Sequence, residues 1–261
     1  PLFSDRSPIW QYKPKPETDT GTAMYSRATT TKPTTVSALQ KAVRQLTGRL
    51  TPTSKLGHIV ATTAAEIKST WEPLIDKRIN IDPAWNEGKA QAFFDPKTKT
   101  IFLIADNIEA GTETAVSAHE LMHKHGKPVL GEIGWNDLHS VIESWSNAAE
   151  GTNERKVYDF AAERVNAIGA ELSSEELFPY AVEAAFRLGI KPNAIARTGT
   201  VAKWLAKVKQ ALREVWDKVV GNPKTFDSQD LVNLAYGVAQ REMHDVGVIN
   251  NPMTNRNVVG N

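Results

Sequence analysis

Val36, Leu39, Val43 and Leu46 recur every three or four residues, with Thr35 placed to cap the helix that this spacing predicts. Ahead of them, residues 1–34 are rich in Thr, Pro, Lys and Ser with little periodicity. They read as a linker or peripheral arm with little structure of its own. Two short echoes in the arm, Leu2-Phe3-Ser4-Asp5-Arg6 and Met24-Tyr25-Ser26-Arg27, are too short to count as a repeat. Residues 57–62 (Gly-His-Ile-Val-Ala-Thr) read as a strand, followed by a short helix over 63–71 ahead of Pro73. The β-prone runs 90–94 and 100–105 flank Asp95-Pro96-Lys97-Thr98-Lys99, a polar turn, and so predict a hairpin. Its second run is almost wholly apolar, as a strand covered by a helix would be.

Residues 111–126 begin with a capping residue and an acidic first turn. They end in basic residues, Gly126 and then Pro128, which predicts a helix closing at that point. Helical spacing returns at 135–149, 154–172, 175–188, 202–220 and 228–244, and the asparagine-rich segment 246–261 reads as a flexible tail. A few strands followed by helices point to an α+β fold rather than alternating α/β. The expected architecture is a small N-terminal mixed sheet whose hairpin packs on helix 111–126, then a mostly helical C-terminal part. In domain terms, arm 1–34 precedes a main domain at 35–190, a C-terminal helical subdomain at 191–245 and tail 246–261.

Charge narrows the functional classes. Lys plus Arg number 31 against 30 Asp plus Glu, so the total carries no basic surplus of the kind a nucleic-acid or membrane role usually shows. A local basic helix, Lys203, Lys207, Lys209, Arg213 and Lys218, could still touch nucleic acid, although such a run is more often a solvated face. With no cysteine, disulfides are impossible and any metal must be held by histidine and carboxylate. No apolar run reaches transmembrane length, and the first residues lack the profile of a signal peptide. The expectation is a protein of the cytoplasm, or one delivered into a host cytoplasm, with no membrane partner. A chain opening without methionine reads as a processed product or part of something larger.

The chemistry concentrates at His119, Glu120 and His123. Two histidines four apart on a helix project from one face a turn apart, so two imidazoles can bind one zinc ion. Glu120, one residue on, is rotated aside and can reach a water on the metal instead. With six histidines in the chain, a chance His-Glu-x-x-His match is on the order of one in a hundred. The plain alternative is an amphipathic helix with two incidental surface histidines. His125 is out of phase with the pair and reads as a helix-end residue favouring the dipole. His58 and His139 have no spacing argument.

A catalytic zinc needs a third protein ligand and an open fourth position. The downstream Gly-x-x-His solution fails, because Gly126 is followed by Val129 where histidine is required. Gly-Thr-x-x-Asp fails as well, since Gly151-Thr152-Asn153-Glu154 continues with Arg155. A glutamate from a later helix remains. Glu176 is favoured: Ser173 or Ser174 caps its helix, and Tyr180 follows one turn on, where it could support the metal site or an oxyanion. Glu183, on the same face, is the first rival, followed by Glu175, Glu163 and Glu154.

A hairpin, a His119-Glu120-x-x-His123 helix and a later glutamate together resemble the zincin metallopeptidases of the glutamate-ligand, gluzincin-like type. Ala105-Asp106-Asn107-Ile108, Glu175-Glu176-Leu177-Phe178-Pro179-Tyr180-Ala181-Val182-Glu183 and Ser228-Gln229-Asp230-Leu231-Val232 are similar to segments of peptidase-like modules in large polyvalent proteins of phages and mobile elements. The Phe3-Ser4-Asp5-Arg6 opening is also similar to segments in those chains. The resemblance covers roughly residues 57–242, and only the His-Glu-x-x-His part is a specific motif. It implies a zincin-like domain at 35–190, one module of a larger protein, acting on a protein substrate or its own parent chain.

The leading expectation is therefore zinc-dependent peptide-bond hydrolysis, with Glu120 as general base and an extended substrate added at a strand edge near 101–105. The rival expectation is a non-catalytic module, zinc-stabilised or metal-free, that binds a protein or nucleic acid within an assembly.

Overall fold

The computed structural model describes residues 25–27, 32–47, 59–75, 90–95, 97–168, 173–191, 218 and 221–249. In chain order these form β1 (Tyr25–Arg27), α1 (Val36–Thr47), β2 (Ile59–Thr62), α2 (Ala64–Glu66, continued by a π-helical turn over Ile67–Trp71), β3 (Ala90–Asp95) and β4 (Thr100–Ile104). Four longer helices follow: α3 (Glu113–Ser144), α4 (Asn153–Ile168), α5 (Ser173–Arg187) and α6 (Ser228–Ile249). The class is α+β, with a small mixed sheet and a mostly helical remainder, as the order of patterns predicts.

β3 and β4 form the expected antiparallel hairpin, with Phe93 opposite Phe102. Asp95 closes the turn by accepting bonds from the Lys97 and Thr98 amides and from the Thr98 hydroxyl. The sheet order is β1-β3-β4-β2, and β2 runs parallel to β4. β4 is thus an inner strand, buried along its whole length, with both backbone edges engaged. This corrects the expectation that 101–105 offers an edge to an extended peptide: the strand 59–62 already occupies that position.

The arm is corrected too. Tyr25–Arg27 is a strand paired antiparallel with β3, because a sheet edge supplies amide and carbonyl partners even to a segment without strand periodicity. Just beyond it, the Thr34 amide donates to the Ile108 carbonyl, and the Ala110 amide to the Lys32 carbonyl. The chain before α1 is thereby tied to the turn that leads into α3. Residues 1–24 lie outside the described residues.

Side chains on the two faces of the sheet enter two cores. Ile59, Ala92, Ile101 and Leu103 join the helices, whereas Phe93, Phe102 and Ile104 pack with Ile67 and Ile75. Phe93 and Phe102 stack at 4.8 Å between ring centroids, with Trp71 edge-on to Phe102. The main core draws Leu39 and Val43 from α1, Val116, Ala118 and Leu121 from α3, Phe178 and Ala181 from α5, and Leu231 and Val238 from α6. The described part of 191–245 therefore contributes to the same core as the motif helix. α6 continues past the expected end at His244 to Ile249. The helix expected over 202–220 lies outside the described residues apart from Lys218, as does the tail beyond 249.

The motif helix does not close at Gly126. α3 runs on and breaks only at Gly131, where φ is +73° and ψ 170°, a backbone state that glycine alone adopts readily. Gly126 serves packing instead: a Cβ there would stand 2.4 Å from the Trp135 ring, so its bareness lets Trp135 fold back onto the first half of the helix. Among the described residues, no helix is long and apolar enough to cross a membrane.

Candidate metal centre

α3 begins beside the sheet with its first turn fixed from outside. The Thr34 hydroxyl and the Gly111 amide both donate to the Glu113 carboxylate. Burial would raise the Glu113 carboxyl, but these bonds outweigh it and hold the group below its usual range. Two turns on, the four-residue spacing sets the His119 and His123 rings 4.8 Å apart, with their Nε2 atoms 3.0 Å from each other. α5 crosses this face and brings up Glu176 from its acidic first turn, where the helix dipole favours a carboxylate.

Glu176 Oε2 lies 3.5 Å from His119 Nε2 and 3.3 Å from His123 Nε2. With the 3.0 Å between the nitrogens, three potential ligand atoms form a nearly equilateral triangle. Ligands about 2.0–2.1 Å from one tetrahedral ion stand about 3.3 Å from each other, so the triangle has the size of one face of such a site. His119, His123 and Glu176 can hold a metal ion. Exposure is 1% for the His119 and Glu176 side chains and 7% for that of His123.

The surroundings are polar and buried. Both oxygens of Glu120 and the hydroxyl of Tyr180 are buried without a hydrogen-bond partner among the described residues. Each such group costs desolvation unless something satisfies it, and here they gather around three convergent ligand atoms, which is what a cation site requires. The Tyr180 ring packs edge-on to His119 at 4.5 Å. On the other side of that imidazole, Glu183 Oε2 lies 3.4 Å from His119 Nδ1. Arg187 Nε donates to the second Glu183 oxygen at 2.8 Å.

Burial and charge work against each other at these groups. Burial alone would lower His119, but Glu176 and Glu183 overcome it and raise the imidazole to about 10. For His123 burial wins over Glu176 and lowers the group. Burial also pushes against Glu176, yet His123 and His119 pull its carboxyl down to about 2. Glu120 is lifted to about 8 by burial, with the Glu176 and Glu183 charges adding to the rise against His119. Tyr180 is raised by burial and the neighbouring carboxylates.

Comparison with protein-family models, with curated proteins and with solved structures finds no match to this chain.

The other residues singled out in the sequence fall elsewhere. Glu175 pairs with Lys127 at the surface, and Glu163 is exposed. Glu154 accepts bonds from the Ser228 amide and hydroxyl, holding the start of α6. Glu183 is the one rival that reaches the centre, and it meets His119 on the nitrogen away from the triangle. His125 lies outside the triangle as its phase predicts, but it is a buried mid-helix residue rather than a helix end, because α3 continues past it. His139 stands 3.7 Å from Glu143, and His58 lies outside the described residues. In the basic run, Lys218 pairs with Asp230; the other members lie outside the described residues. Arg187 escaped the sequence reading, although its four-residue spacing from Glu183 was an available sign.

Proposed function

We propose that the chain is a zinc-dependent metallopeptidase of the zincin type, with His119, His123 and Glu176 as ligands and Glu120 as general base. The observation that carries this reading is the triangle of His119 Nε2, His123 Nε2 and Glu176 Oε2 at 3.0, 3.3 and 3.5 Å, with Glu120 buried beside it and without a partner among the described residues. Bound zinc would polarise a scissile carbonyl and bring the pKa of a coordinated water toward neutrality.

Glu120 takes the proton of the attacking water and returns it to the leaving amine. Tyr180 donates its hydroxyl to the developing oxyanion, a role supported by its contact with His119 and by an oxygen with no partner among the described residues. The substrate in this reading is a protein or peptide, the parent chain included, following the resemblance to peptidase-like modules of polyvalent proteins.

One observation favours a second reading, a metal-stabilised module without catalysis: His119, Glu120 and Glu176 are each about 1% exposed, whereas a peptide substrate must reach the groups that act on it. A peptide-hydrolysis assay on zinc-loaded wild type and Glu120→Gln separates the two. The peptidase reading expects turnover reduced about 10²–10⁴-fold in the variant with zinc retained. Absence of turnover in zinc-loaded wild type, with the melting temperature raised by the metal, favours the module.

A further inference from the structure

Arg187 touches none of the three ligand side chains, yet its contacts converge on how one of them is presented. Its Nε donates to Glu183 Oε1 at 2.8 Å, and its Nη1 lies 3.7 Å from Glu109 Oε2 in the turn leading into α3. The guanidinium also lies over the Phe160 ring of α4, 5.6 Å from its centroid. Three elements therefore fix this fork in place, and the arginine is only 18% exposed.

The held partner, Glu183, is 1% exposed and has one oxygen left, Oε2, facing His119 Nδ1 at 3.4 Å. Neither of those two atoms has a hydrogen-bond partner among the described residues. They are each other's natural complement: an imidazole nitrogen carrying a proton, and a carboxylate oxygen able to accept it. Glu176 and Glu183 are seven residues apart on α5, two turns along one face. One helix thus meets His119 from both sides, with Glu176 toward Nε2 and Glu183 toward Nδ1.

We propose that Arg187 is a positioning residue of the metal centre: by anchoring Glu183, it places the free carboxylate oxygen to accept a hydrogen bond from the Nδ1–H of His119, fixing the tautomer that leaves Nε2 bare toward the metal. The inference rests on the metal-site reading and extends it beyond the ligands themselves. Histidine ligands are commonly fixed in this way by an acceptor on the second nitrogen, and losing the acceptor typically weakens metal binding about 10–100-fold. What is particular to this chain is that the acceptor is itself set by an arginine, seated on Phe160 and tied to the turn that starts the ligand helix.

The test measures zinc affinity, by competition with a chromophoric chelator, for the full chain and for Arg187→Gln, Arg187→Lys and Glu183→Gln. Long-range ¹⁵N–¹H spectra of histidine-labelled, zinc-loaded protein report which nitrogen of His119 carries the proton. Glutamine at 183 has one acceptor oxygen and cannot serve both Arg187 and His119. Glu183→Gln and Arg187→Gln are expected to bind zinc about 10–100-fold more weakly, with the Nδ1-protonated signature of His119 lost or mixed. Arg187→Lys keeps the charge without the fork, and it is expected to fall between them and wild type with its fold intact. Variants that bind zinc within about twofold of wild type and keep the His119 signature unchanged overturn the proposal while leaving the metal site standing. Absence of zinc binding in wild type overturns both.

Discussion

His119 and His123 turn their Nε2 atoms toward each other at 3.0 Å, with Glu176 Oε2 3.3–3.5 Å from both. Two bare imidazole nitrogens at that distance repel unless a proton or a cation stands between them. A carboxylate closing the triangle favours the cation. The buried groups around the triangle, Glu120, Tyr180 and Glu183, are a costly arrangement for a core with no task to perform.

In metal-free protein the site gives stability a defined pH window. Glu176, held at about 2 against an ordinary 4.5, contributes stability that is complete above 4.5 and lost as pH falls toward 2. His119, raised from 6.5 to about 10, contributes stability that is complete below 6.5 and lost as pH rises through 10. Glu120, raised from 4.5 to about 8, contributes stability that is complete below 4.5 and lost as pH rises through 8. Thermal unfolding in chelator should therefore show its highest midpoint between about pH 4.5 and 6.5 and a decline toward pH 10. Added zinc should stabilise more as pH rises, because it replaces a proton on His119. A metal-free midpoint that holds level or climbs from pH 6 to 10 contradicts this charge arrangement.

Tyr180→Phe removes a buried hydroxyl that has no partner among the described residues, so its cost to stability should be near zero. If the hydroxyl serves an oxyanion, turnover of a peptide substrate should fall about 10²–10³-fold. Denaturant titration and steady-state kinetics on the same preparation read both quantities. A destabilisation of about 2 kcal/mol or more, with turnover unchanged, would return Tyr180 to an ordinary core role.

Gly126→Ala should destabilise by about 1–3 kcal/mol, although alanine favours helix by about 1 kcal/mol. The added Cβ would meet the Trp135 ring at 2.4 Å, and the clash outweighs the propensity gain. Combining it with Trp135→Leu should recover part of the loss, since the two positions share one contact. Equilibrium unfolding of the four proteins in the cycle measures this. A stabilising Gly126→Ala would show that the tryptophan does not lean on that turn.

Spacing carried much of the fold and site. Two β-prone runs around the polar, Pro-containing turn at 95–99 marked the hairpin, and the four-residue step from His119 to His123 marked a shared helical face. The acidic first turn of a later helix directed attention to Glu176, which the fold brings to the histidine pair. What stayed hidden depends on contacts distant in sequence. Gly126 before Pro128 has the local look of a helix end, yet its smallness answers to Trp135, and the break falls at Gly131. β4 looked available because nothing local tells an inner strand from an edge; pairing with 59–62 makes it inner. Tyr25–Arg27 gained strand geometry only from the edge of β3. Glu183 could be placed on the right helix face, but which nitrogen of His119 it meets depends on the crossing of α3 and α5.

The most direct test of the central claim is zinc content by elemental analysis, on protein purified without chelator and offered the metal, for wild type, His123→Ala and Glu176→Ala. About one zinc per chain is expected in wild type, with the metal lost in both variants. A wild type that holds no zinc, or a Glu176→Ala protein that retains a full equivalent, contradicts it.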